Sequence, residues 1–157
     1  MNQQIIHLAN IDTQTSFIDE LGYKTSSGRG IVSKLIGIAT HSQDLCLDIN
    51  DIKRICSYTG KAYLKQYFFS GFELLTMNYI ETMFRCNKKE LKAIQDGAKG
   101  VILHLEVGEQ YTNISLNEVI SNSISSINDF ADISISMSKN NRLISNDFNL
   151  YLVATGI

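Results

Sequence analysis

The sequence predicts an α/β domain of the α+β type: a four-stranded mixed sheet, with helices packed on it. Three observations carry this. A near-continuous apolar run from Lys99 to Val107 reads as a central strand, covered on one or both faces. Two later stretches, Asp132–Ser138 and Phe148–Thr155, alternate with the period of two that belongs to a strand. Between the strand patterns lie stretches of helical periodicity, so strands alternate with helices before two strands follow in succession. That order implies a mixed sheet finished by a hairpin.

Residues 1–16 are weakly patterned. From Phe17 a helical stripe begins with Ile18 and Leu21, and Ile31, Val32, Leu35, Ile36 and Ala39 continue it. Gly22, Gly28 and Gly30 lie between the two stripes, and each glycine inside a helix costs about 1 kcal/mol relative to alanine. By local signals the helix breaks near Ser27.

Asp48 precedes a short helical pattern, and Asp51 sits three positions on. A carboxylate before a helix accepts from its first free N–H groups, and a second one in the first turn suits the positive end of the helix dipole. Ile52 and Ile55 are expected to face inward, and Gly60 to stop the helix. Taken alone, this is a well-capped surface helix.

Alternation then marks a strand over Lys61–Phe69, with Ala62, Leu64 and Phe68 on one face and Tyr63, Lys65 and Tyr67 on the other. Phe72 to Arg85 carries an aromatic and methionine stripe at helical spacing, read as core. Lys88–Gln95 adds a helical turn that Gly97 ends. After the apolar strand, Ser115 and Glu118 form a capping box for a helix over Leu116–Phe130, with Ile120, Ile124, Ile127 and Phe130 inward. In the next strand Ile133, Ile135 and Met137 alternate with Ser134, Ser136 and Ser138, read as a solvated polar face. Lys139–Asn141 is turn chemistry, leading to the last strand over Phe148–Thr155.

Bulk properties exclude several functions. With 44% hydrophobic and 19% charged residues the 157-residue chain is globular, and of ordinary single-domain size. Its net charge of -2, without a basic block, argues against nucleic acid as partner. No apolar run approaches the ~20 residues of a membrane span, and the start lacks a signal-peptide pattern, so a cytoplasmic protein is expected. Cys46, Cys56 and Cys86 are widely spaced and odd in number, which fits a reducing compartment. His7, His41 and His104 make no metal-ligand spacing and read as structural or surface residues. No phosphate-binding glycine motif or G-x-S-x-G elbow occurs, Glu73, Glu81 and Glu106 form no evident pair, and no histidine lies near the serines in sequence. No cofactor and no metal is expected.

The loop and the strands resemble the core helix and C-terminal domain of the FtsZ/tubulin-like family. Asp48 and Asp51 fall on both aspartates of the family's N-x-D-x-x-D loop, with Cys46 where its asparagine would stand. Gly60 and Ala62 keep the register into the next strand. Phe17–Gly22 resembles the start of the family's core helix, Lys99–Val107 its G-A-R-G-V-L-V-N-I strand, and Val153–Ile157 its V-A-T-G-[IF] ending. Relative to the family, Tyr111–Asn113 is a small insertion.

The resemblance covers nearly the whole chain. It implies a core-type helix over 17–41, either continuous, as the resemblance favours, or broken near 27, and a C-terminal-type domain over 42–157. It also implies that a partner's nucleotide would meet an interface loop of Cys46, Asp48, Asn50 and Asp51. The family's G-G-G-T-G-[ST]-G loop is not in these residues, and its guanine-holding positions read Leu21 and Tyr23–Ser26. A leucine does not stack like a ring, and a serine does not accept paired guanine N–H bonds as a carboxylate does.

The expectation is a chain that by itself neither binds nor hydrolyses GTP. It would dock on FtsZ or another tubulin-like GTPase and cap or inhibit its polymerisation, with homo-oligomers also open. Half of a split tubulin-like GTPase is the alternative in the same fold. A small-molecule-binding regulator or enzyme, with a deep pocket and only a chance resemblance, is the alternative outside it.

Overall fold

The computed structural model describes residues 35–37, 39, 47–69, 88–108, 121, 125–144 and 147–157. The elements are α1 (Ile49–Cys56), β1 (Tyr63–Phe69), α2 (Lys88–Gly97), β2 (Gly100–Val107), β3 (Asp132–Lys139) and β4 (Phe148–Thr155). The expected helix over Phe72–Arg85, most of the one starting at Leu116, residues 1–34, Tyr111–Asn113 and Cys46 lie outside the described residues. Residues 35–37 and 39, near the end of the expected core helix, are helical.

The four strands form one mixed sheet in the order β1-β4-β2-β3. β4 is antiparallel to both β1 and β2, and β2 is parallel to β3. The expected hairpin between the last two strands is not formed: β2 lies between them. Composition explains the placement. β4 carries Phe148, Leu150 and Leu152 on one face and Tyr151 and Val153 on the other, and only an inner position buries both. β3 has serines on one face and sits at an edge. The 24 residues from 108 to 131 give the parallel pair the long crossover it needs.

β2 is buried at every position, as its apolar run predicts. Its Val101, Leu103, Leu105 and Val107 join Phe69, Phe148, Leu150 and Leu152, under Ile94 of α2 and Ile127. Ile102, with Tyr151 and Val153, faces Leu35, Ile36, Leu47, Ile52, Ile55 and Cys56. Ile52 and Ile55 thus face inward as expected, each contributing about 1.5–3 kcal/mol by burial.

Three other expectations are corrected. Phe130 is 97% exposed, because the chain is already in a turn over residues 125–130, where Phe130 N donates to Asn128 Oδ1 at 3.2 Å. The α1 helix ends at Cys56, where Ser57 N donates to Arg54 O, and Gly60 belongs to the following turn with φ 129°. The serine face of β3 is not solvated. Ser134, Ser136 and Ser138 are all buried, while Ile133, Ile135 and Met137 are half-buried on the other face.

Candidate functional site

The sequence-predicted loop forms the start of α1. Asp48 takes an extended backbone conformation, and its Oδ1 accepts from Asn50 N at 2.8 Å, an N-cap as the spacing predicts. Its carbonyl also receives Asp51 N at 3.0 Å and Ile52 N at 3.2 Å, the first bonds of the helix. Asp48 and Asn50 are exposed, while Leu47 is buried and anchors the entry against Ile52 and Ile55.

Asp51 is turned toward its own sheet, with its side chain 30% exposed. Arg54 Nη1 donates to its Oδ1 at 2.6 Å, and Ser134 Oγ on β3 donates to its Oδ2 at 3.2 Å. Arg54 also grips Asp132 at the start of β3 with two parallel bonds, Nε to Oδ2 at 2.6 Å and Nη2 to Oδ1 at 3.2 Å. Tyr58 adds its hydroxyl to Asp132 Oδ2 at 3.5 Å. Hydrogen bonds first to Asp132 and then to Asp51 raise the Arg54 pKa above its ordinary value, so its charge is permanent. Arg54, Asp132 and Ser134 escaped the sequence reading. The i,i+3 spacing of Asp51 and Arg54 on a helix was the available signal for the first. Nothing in sequence links the other two to α1.

Two further ties seat α1. Thr155 Oγ1, at the end of β4, donates to Ile55 O at 2.5 Å. Gly100 lets the helix approach β2: a Cβ there would lie 2.7 Å from Tyr58 Cδ2 and 2.9 Å from Ile55 Cγ2.

A second polar group lies on the same face of the sheet. His104 is fully buried, its Nδ1 2.6 Å from Ser136 Oγ and its Nε2 2.9 Å from Ser138 Oγ. The sheet thus brings to the serines the histidine that the sequence keeps 32 residues from Ser136. A catalytic serine–histidine pair uses the second ring nitrogen to bind an orienting carboxylate. Here a second serine takes that place, and solvent does not reach the ring. Beside it Glu106 Oε1 accepts from Asn149 Nδ2 at 2.9 Å, Asn140 Nδ2 at 3.0 Å and Tyr151 OH at 3.5 Å. These are buried groups matched by hydrogen bonds, the structural role expected of His104.

Among the described residues no group of three or more His, Cys, Asp or Glu is placed to hold a metal ion, and no helix is long and apolar enough to cross a membrane.

No protein-family model and no curated protein matches the sequence. Solved structures do match its fold. FtsZ of M. jannaschii, as an empty dimer, aligns with TM-score 0.59 and 19% identity over 94% of this chain and 41% of its own. Its W319Y mutant aligns at 0.57 and 18% over 95% and 42%. TubZ of Bacillus thuringiensis serovar israelensis, in GDP-form protofilaments, aligns at 0.55 and 13% over 92% and 40%. The chain therefore spans about two fifths of the length of these proteins. At such identities the likeness concerns the fold: the domain is an α+β domain with the fold of FtsZ/tubulin-like proteins, the one its loop and strands resemble in sequence.

Proposed function

We propose that the chain docks on the protofilament interface of a complete FtsZ/tubulin-like GTPase, and caps or inhibits its polymerisation. The supporting observation is that a domain of FtsZ-like fold presents Asp48 and Asn50, both exposed, at the start of α1. Two of the similar structures are a dimer and protofilaments, so copies of those proteins meet one another. A domain with their fold offers one half of such a contact.

Sedimentation tests this. FtsZ of M. jannaschii is polymerised with GTP, alone and with increasing amounts of the purified chain. The expected result is less pelleted polymer at substoichiometric amounts of chain. An unchanged pellet at equimolar chain, with no complex in gel filtration, would rule the reading out. GTP turnover that appears only on co-expression with a separate nucleotide-binding chain would favour a split GTPase instead.

A further inference from the structure

Granted that docking, the loop carboxylates would meet the partner's nucleotide, where one of them could accept a proton from the attacking water. Asp51 is engaged elsewhere. Its Oδ1 is paired with Arg54 of its own helix at 2.6 Å and its Oδ2 receives Ser134 of β3 at 3.2 Å, so both oxygens are engaged within the chain. Arg54 cannot easily swing away. Its planar fork is fixed on Asp132 by two more bonds, and a bidentate charge-assisted pair is directional as well as strong. One permanent cation thus bridges a carboxylate on α1 and a carboxylate on β3. Without it the two anions would repel one another, and Asp51 would turn outward.

We infer that Arg54 is a positioning residue that holds the Asp51 carboxylate against β3 and silences it toward a docked GTPase, so that the chain caps a filament without supporting hydrolysis. The clamp acts on the same loop that the docking proposal uses and rests on that reading, but it bears on turnover in the docked complex and not on docking itself. Asp48, tied to the backbone of Asn50 and among the described residues not to a cation, is left to contact the partner.

The test uses Arg54→Ala, Arg54→Lys and the double variant Arg54→Ala/Asp51→Asn, each checked by circular dichroism. In complexes with M. jannaschii FtsZ, phosphate release is expected to rise severalfold for Arg54→Ala over the unmodified chain, with sedimentation unchanged, and to fall back in the double variant. Arg54→Lys, which keeps the charge and loses the fork, should lie between. A merely structural role would change stability and leave turnover alone. Equal phosphate release from the Arg54→Ala and unmodified complexes overturns the inference. Terbium luminescence sensitised by Tyr58 gives a readout without FtsZ. Freed of Arg54, the Asp51 and Asp132 carboxylates should bind Tb³⁺ severalfold more tightly, and equal affinities would refute the masking even if docking itself fails. If the chain never binds FtsZ while Tb³⁺ affinity rises as expected, the clamp stands and the docking proposal falls. Should Arg54→Ala not fold, Arg54→Lys carries both measurements.

Discussion

The seat of α1 can be tested at Gly100, the first residue of β2. An added Cβ would stand 2.7 Å from Tyr58 Cδ2, 2.9 Å from Ile55 Cγ2 and 2.9 Å from Thr155 Oγ1. Two of the three cannot retreat freely. Ile55 and Thr155 are fully buried, and Thr155 Oγ1 is held by the Ile55 carbonyl at 2.5 Å. Relief requires α1 to lift off the sheet by several tenths of an ångström, which lengthens that hydrogen bond and loosens the packing of Ile52 and Ile55. Overpacking of this kind costs about 1–3 kcal/mol. The smaller entropy of the unfolded alanine chain returns about 0.4–1 kcal/mol. At mid-range Gly100→Ala should therefore lose about 1.3 kcal/mol, or about 3–5 °C in Tm for a domain of this size. Urea unfolding followed by circular dichroism measures it as a lower midpoint at constant m. Gly97→Ala is the control, because among the described residues a Cβ there meets only Ile157 Cγ2, at 3.7 Å, and it should be neutral or stabilising. Gly100→Ala within about 0.5 kcal/mol of the unmodified chain, or an equal loss in the control, would refute the claim of close approach.

Two more outcomes are expected. Burial pushes the Cys56 thiol up from 9.0 to about 12, so above pH 9 the unfolded chain releases this proton first. Stability from this group is full below pH 9 and is lost as pH rises toward 12. At pH 10 the loss is roughly 1.4 kcal/mol, and denaturant titrations at pH 8 and pH 10 should show a drop smaller by that amount in Cys56→Ala. Asp48→Ala should cost about 1 kcal/mol, or about 2–4 °C in Tm, through the lost cap. Asp48→Asn keeps the cap and removes the charge, so weaker FtsZ binding at unchanged Tm would assign the carboxylate to docking, and unchanged binding would confine it to capping.

The elements were legible wherever local chemistry dictates them. β4 spans Phe148–Thr155 as alternation predicts, β2 starts one residue later than expected, and Asp48 caps α1. Which strands are neighbours was less legible, since adjacency in sequence favours a β3–β4 hairpin and only the two-sided apolar character of β4 argues for an inner place. Period two assigns Ser134, Ser136 and Ser138 to one face without saying what covers it. Their burial depends on His104, 32 residues from Ser136, and on Asp51, 83 residues from Ser134. Polar residues on a strand read as solvated unless a polar partner is supplied from elsewhere. Phe130 fails for a related reason: helical periodicity extends through it, but Asn128 turns the chain first.

The order of strands, and not the loop motif alone, decides what the candidate site can do. Because β3 pairs with β2 in parallel, Asp132 and Ser134 come to lie beside α1, which packs on both strands. A β3–β4 hairpin on the far side of β4 would have put β4 between them and β2, on which α1 packs. Asp51 would then have kept Arg54 of its own helix but lost Ser134, and Arg54 would have lost its anchor on Asp132. In the observed order three strands hold α1, each by a different chemistry. β2 omits a side chain at Gly100, β4 donates a hydroxyl from Thr155, and β3 offers a carboxylate to Arg54. Asp51 inherits its orientation from all three, so a change in how α1 sits on the sheet is also a change in where that carboxylate points.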